Sequence, residues 1–145
     1  MKPEIGIKKE NLSKVAQALS GFLADEFLLY LKTRNAHWNI EGSDFHTMHT
    51  MDEVAERIRM LGHYAPATMK SYLELTHPIE QSRGKNDSAG FIKELLGDHE
   101  SIIIRLRENI NLFATELNDL GTSDFITGLM ETHEKMAWML RAHLK

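Results

Sequence analysis

The sequence predicts an all-α fold, a bundle of four long helices with one long crossover, on three observations. Apolar residues recur at three- and four-residue steps along most of the chain and almost nowhere alternate. Only three prolines (Pro3, Pro66 and Pro78) occur in 145 residues, which leaves long tracts without a breaker. Capping residues and glycines fall where those tracts begin and end.

The first helix is expected from about Asn11 to Asn35, with Asn11 as its N-cap. Leu12, Val15, Leu19, Phe22, Phe27, Tyr30 and Leu31 form its apolar stripe, and its length would be about 37 Å. A turn at Glu41-Gly42-Ser43-Asp44 follows, with Ser43 or Asp44 capping a second helix from about Phe45 to Leu61 and Gly62 as its C′ residue. From His63 to Asp87 the chain is irregular, with a short helix expected over Thr68 to Leu75. Ser88 or Asp87 caps the third long helix, whose stripe runs from Phe91 through Leu106 to Leu117 and which ends at Gly121. Thr122 or Ser123 caps the fourth, which carries Phe125, Ile126, Leu129, Met136 and Leu140. Two long helices, a crossover holding a short helix, and two more long helices make a four-helix bundle.

The second helix is unusually short. It would span about 26 Å beside neighbours of about 37–42 Å. Apolar surface on the other three must then be covered by another subunit, by the crossover or by a changed helix path.

With 145 residues, 42% hydrophobic and 26% charged, the chain reads as one domain, residues 1–145, with residues 1–10 as a flexible tail. A formal charge of −4 does not favour nucleic-acid binding through the overall field, although Lys2, Lys8 and Lys9 form a small basic cluster. The absence of cysteine excludes disulfides, thiolate metal sites and a Cys nucleophile. No signal-like or membrane-spanning apolar run occurs, so a cytoplasmic location without membrane association is expected.

Chemistry concentrates between Asn35 and Arg57. His37, His46 and His49 lie close to Asp52, Glu53 and Glu56. His49, Asp52, Glu53 and Glu56 fall at i, i+3, i+4 and i+7, on one helical face. Imidazole with hard carboxylate oxygens suits iron, manganese or zinc. A solvated acidic helix face with incidental histidines fits the same pattern.

Three segments carry a family resemblance. Thr33-Arg34-Asn35-Ala36-His37-Trp38-Asn39 with Gly42, Phe45 and His49 is similar to the opening signature of the Dps family, the mini-ferritins. Met51-Asp52-Glu53-Val54-Ala55-Glu56-Arg57-Ile58 with Leu61-Gly62 resembles that family's second signature. His133-Glu134-Lys135-Met136-Ala137-Trp138-Met139-Leu140-Arg141-Ala142 resembles its last helix.

The resemblance runs from Lys9 onward and implies a ferritin-like four-helix bundle. It further implies a hollow homo-oligomer, a dodecamer, that oxidises Fe(II) with hydrogen peroxide and stores the ferric mineral. It would place a two-iron ferroxidase site between subunits, His37 and His49 of one facing Asp52 and Glu56 of its neighbour. Glu53, four residues after His49, stands as a further metal ligand, and zinc or manganese are alternative occupants.

The spacing departs from that family. Its relatives place roughly three more helical turns between the second histidine and the Met-Asp-Glu motif. Here only Thr50 and Met51 intervene. Two readings therefore stand: an iron-oxidising mini-ferritin, or a remodelled Dps-like assembly that protects DNA without an intact site.

Other residues read mainly as structure. His133 lies on the periodic face of the fourth helix, as a hydrogen-bonded core histidine. His63, His77, His99 and His143 lack carboxylates at ligand spacing. Trp38 and Trp138 read as core or interface aromatics, with interception of oxidising equivalents a second role for Trp38. Asp124, with Glu116 and Asp119 nearby, either favours its helix dipole or lines an acidic iron-entry pore.

Overall fold

The computed structural model describes residues 5–39, 47–77 and 88–144, with side chains described for 5–33, 51–77 and 89–144. Five helices order the chain: α1 (Lys9–Asn39), α2 (Thr47–Met60), α3 (Met69–Leu75), α4 (Ser88–Asn111) and α5 (Leu120–Ala142). Their lengths are 31, 14, 7, 24 and 23 residues, so α2 is short against the other three bundle helices.

The start of α1 differs from the sequence expectation. Lys8 O accepts from the backbone N–H of Asn11 and Leu12 at 2.9 and 3.0 Å, so the helix begins before Asn11. Asn11 is thereby freed from capping, and its Nδ2 donates to Leu117 O at 3.1 Å at the far end of the bundle's second hairpin. The expected caps at residues 43–44 lie outside the described residues. Gly62 does end α2, at φ +81° with its N–H on Arg59 O at 2.9 Å.

In the crossover, Thr68 caps α3 by accepting from Ser71 N at 3.2 Å. Tyr72 of α3 stacks on Phe27 of α1 at 4.4 Å, which docks the crossover onto the bundle.

The reversal after α4 also differs. The helix continues as a π-helical stretch over Leu112–Glu116, where Leu117 N donates to Leu112 O at 3.1 Å. Asn118 turns the chain at φ +54°, a conformation asparagine tolerates, so no glycine is needed there. Asp119 then caps α5, Oδ1 accepting from Thr122 N at 2.9 Å and Oδ2 from Thr122 Oγ1 at 2.6 Å. Gly121 therefore lies inside the first turn of α5, and neither Thr122 nor Ser123 is the cap. Gly121 gives room instead: a Cβ there would meet Arg57 Nη2 at 2.9 Å.

Arg57 locates α2. It reaches Asp119 Oδ1 at 3.2 Å and Thr122 Oγ1 at 2.9 Å, fixing the carboxyl end of α2 beside the start of α5. On the opposite face Val54, Ile58 and Leu61 bury against a core that includes Val15, Leu19, Phe22, Leu106, Phe113 and Ile126.

The helix directions follow from the cross-links. Asp25 meets Arg105 while Lys32 meets Glu94 and Asp98, so α4 runs antiparallel to α1. Asn11 meets Leu117 O and Glu26 meets His133, so α5 runs parallel to α1. The ten residues from Arg57 back to Thr47 carry α2 about 15 Å along the bundle, roughly to the level of residue 130 in α5. Beyond that level only α1, α4 and α5 continue among the described residues. Also among them, no helix is long and apolar enough to cross a membrane.

Ile58 is fully buried, whereas Met60, two residues on, is exposed. Ile58→Ala is expected to cost about 2–5 kcal/mol in denaturant unfolding. Met60→Ala should stay within about 0.5 kcal/mol of the parent chain. Equal costs for the two would contradict this placement of α2.

Candidate metal centre

Asp52, Glu53 and Glu56 all lie on α2, and all three are exposed in the single chain. Their exposure follows from the helix period. Val54 and Ile58 occupy the buried stripe, so residues 52, 53 and 56 occupy the opposite arc. Asp52 and Glu56, one turn apart, share that outer face.

His37 lies on α1, two residues before its end at Asn39, and His49 is the third residue of α2. The side chains of both, with those of Trp38 and His46, lie outside the described residues. Among the described residues no three His, Asp or Glu side chains group closely enough to hold a metal ion. Within one subunit, then, Asp52, Glu53 and Glu56 present a carboxylate face without a described nitrogen ligand.

A second polar assembly sits inside the bundle, and the sequence reading found only part of it. His133 is buried at 1% exposure and hydrogen-bonded, as its periodic position predicted. Its Nε2 lies 2.5 Å from Glu26 Oε1 on α1, and its Nδ1 lies 2.9 Å from His99 Nδ1 on α4. Glu26 (1% exposed) and His99 (4% exposed) were not foreseen as its partners. Beside them, buried Lys32 pairs with Glu94 and Asp98. Asp25 binds Arg105 and accepts from Thr76 Oγ1 at 3.2 Å and from His77 N at 2.8 Å. The last two bonds clamp the end of α3 to α1.

A signal for these residues existed. Glu26 follows Leu19, Phe22 and Leu23 at helical spacing, a charged residue on a core stripe. A buried charge there requires partners from other helices.

Trp138, expected in a core or an interface, is 64% exposed. Asp124 is exposed and follows Asp119, the actual cap of α5.

The chain matches the Ferritin-like domain family over residues 16–145. A low temperature-induced, uncharacterized protein of Nostoc is 36% identical, covering 97% of this chain and 86% of that protein. DNA protection during starvation protein 2 of Bacillus anthracis is 34% identical, covering 90% of this chain and 97% of its own. This chain belongs to the Dps family.

Among solved structures, the Dps protein of Vibrio cholerae O1 superposes with a TM-score of 0.88 at 28% identity, covering 99% of this chain and 97% of the other. It is described as a member of a broad superfamily of ferritin-like diiron-carboxylate proteins. Family membership thus places the chain, at a general level, among iron-binding and iron-storing proteins. The alignment with the Nostoc relative extends over 153 positions, more than the 145 residues of this Dps chain. That relative therefore carries residues with no counterpart here.

The buried His99 makes stability depend on pH. Burial first, and the neighbouring His133 second, lower the pKa of His99 from 6.5 to about 3. The unfolded chain therefore binds more protons through this group between those two values. Its contribution is complete above pH 6.5 and is lost as pH falls toward 3, at about 1.4 kcal/mol per unit. Asp25 and Asp98 act in the opposite sense, because burial raises both carboxyl groups and the folded state takes up their protons first. Unfolding at pH 7 and pH 5 should show the parent protein losing about 2 kcal/mol more than a His99→Asn variant. Identical losses would show that His99 is not held neutral.

Proposed function

We propose that this Dps chain oxidises Fe(II) with hydrogen peroxide and stores the ferric product in a homo-oligomeric cage. The observation that carries the reading is the exposed face bearing Asp52, Glu53 and Glu56 on α2. A carboxylate face turned outward from a subunit is open to nitrogen ligands of another subunit. The proposed site joins His37 and His49 of one subunit to Asp52 and Glu56 of a second, with Glu53 as an additional oxygen ligand.

The donor set fits iron as substrate. Carboxylate oxygens stabilise the ferric product, neutral imidazole tunes the metal, and positions not taken by protein admit the oxidant. Ligands on both sides of an interface also couple iron binding to subunit pairing.

The short α2 sets the geometry of such a site. His49 and Asp52 are separated by only about 4.5 Å of helical rise. Two antiparallel α2 helices meeting across a two-fold axis would bring their two half-sites within about two turns of each other.

Stopped-flow absorbance of ferric formation after mixing Fe(II) and peroxide tests the reading. His37→Ala and Glu56→Ala should each slow the reaction at least about 10–100-fold. Turnover untouched by either substitution would overturn the site. Light scattering of the same proteins should report a twelve-subunit particle; a dimer would overturn the cage.

DNA protection is a second reading, favoured by the names of relatives such as the Bacillus anthracis protein. Exposed Lys8 and Lys9 precede and open α1, near Lys2 in sequence. DNA retention that weakens with salt, and is lost when all three are alanine, would support it. Retention unchanged in that variant would count against this arm.

A further inference from the structure

The outer side of the α4–α5 pair carries a pattern that the iron-oxidising reading leaves unused. Arg107 of α4 pairs with Glu134 of α5, and Glu100 of α4 pairs with Arg141 of α5 at 2.9 Å. These two bonds fix the register of the antiparallel helices. Ile104 lies between Glu100 and Arg107, and Trp138 lies between Glu134 and Arg141, so the two apolar residues stand at one level. Ile104 is 58% exposed and Trp138 64%. An ion pair stands about one helical turn to either side, roughly 5 Å away.

The signs alternate. Along α4 the order is Glu100, Ile104, Arg107; beside it on α5 the order is Arg141, Trp138, Glu134. Each acid has a base across the groove and another base further along its own helix. Such a checkerboard is complementary to a copy of itself turned over about a two-fold axis lying in the face. With the axis along the helices, Glu100 of one copy falls on Arg141 of the other, and Arg107 on Glu134. With the axis across them, Glu100 falls on Arg107 and Glu134 on Arg141. In both cases every acid meets a base and the apolar centre meets an apolar centre. The four charged side chains are 43–61% exposed and so remain open to a neighbour.

Other occupants fit less well. The four charges cancel, so they offer no field to a phosphate backbone or an anionic lipid surface. Further out, Lys135, Glu108 and Glu131 continue the mixture of signs. The area suffices for a second copy. Two packed helices present a face about 20 Å wide, and a shared length of about 27 Å gives about 540 Å² per copy. The total, about 1,100 Å², clears the roughly 1,000 Å² of a specific contact. A tryptophan inside a polar rim is also the composition of a binding hot spot.

We propose that the outer α4–α5 face binds a second copy of this chain, with Trp138 and Ile104 at the centre and the two ion pairs as the rim. The contact is isologous, lies on different helices from the carboxylate face of α2, and stands whether or not α2 serves iron oxidation. One isologous contact closes at a dimer, so a particle of more than two subunits needs a contact besides that of α2. This face supplies one.

Sedimentation velocity of the full-length protein over a dilution series reads the contact. Trp138→Asp with Ile104→Asp should lower the mass of the assembled species by at least about half. Ile5→Asp, at a side chain 53% exposed elsewhere, should leave it unchanged. Glu100→Arg with Glu134→Arg makes all four corners positive and should give the same loss as the two aspartates. Adding Arg107→Glu and Arg141→Glu inverts the checkerboard and should restore the parent mass. In a Trp38→Phe background Trp138 is the sole tryptophan. Acrylamide should quench it at least about threefold less in the assembled protein than in the all-positive variant.

Parent-sized particles in both the aspartate and the all-positive variants would overturn the proposal. So would a Trp138 quenched equally in the assembled protein and the variant. A dimer that survives the aspartates unchanged would leave the α2 contact standing and sink this one. Should the aspartate variant lose its helical circular dichroism, the charge exchange and the quenching decide the matter.

Discussion

The length of α2, fixed in place by Arg57, constrains everything else in this subunit. Arg57 joins the carboxyl end of a 14-residue helix to Asp119 and Thr122 at the start of α5. Asp119 is only 2% exposed, so the pair is shielded from water more than a surface ion pair, though Arg57 itself stays partly open. The same carboxylate also caps α5, so one residue sets both the entry of α5 and the position of α2. With that end pinned, α2 has no choice about where its other end stops. It leaves a four-helix half, with an apolar interior, and a half in which α1, α4 and α5 continue among the described residues.

The change in cross-section coincides with a change in chemistry. Where α2 is present, the interior is Val15, Leu19, Phe22, Val54, Ile58, Leu106 and Ile126. Near and beyond its end the facing positions become Glu26, Lys32, Asp98, His99 and His133. Buried ionic groups cost stability unless they are paired, and most of these are tied across two or three helices. Such ties give α1, α4 and α5 a specific register that apolar contacts alone would not require. The crossover is held in the same manner: Asp25 receives Thr76 and His77 from beyond α3 while Tyr72 stacks on Phe27.

Much of the fold was legible in the sequence because it rests on local rules. Helical periodicity marked four long helices, Gly62 marked the end of α2, and Thr68 marked the start of α3. The boundaries that differed were decided by tertiary partners. Asn11 looked like a cap but serves as a cross-link to Leu117, and Gly121 looked like a terminator but makes room for Arg57. Asn118 and Asp119 did the terminating and capping, a task their side chains allow but do not announce. The carboxylate face of α2 was readable from spacing alone, since i, i+3, i+4 and i+7 fix a face. The interior assembly was not, because Glu26, His99 and His133 lie on three helices and meet only after packing. His133 was recognised as a core histidine by its period; nothing local named its partners.

Two separate uses of histidine and carboxylate follow from where the helices put them. On α2, the buried stripe of Val54 and Ile58 forces Asp52, Glu53 and Glu56 outward, where they stay hydrated and available to a neighbouring subunit. On α1, Glu26 replaces an apolar side chain on the inner stripe, where it is desolvated and must be answered from α4 and α5. An exposed carboxylate face is cheap to keep and gains function only by assembly. A buried one is costly from the moment the chain folds, so it persists only with a partner that offsets desolvation within the same subunit. Among the described residues Glu26 has one such bond, through Oε1 to His133, and its second oxygen has none. That imbalance concentrates the cost of burying Glu26 on its contact with His133, which ties the register of α5 to that of α1.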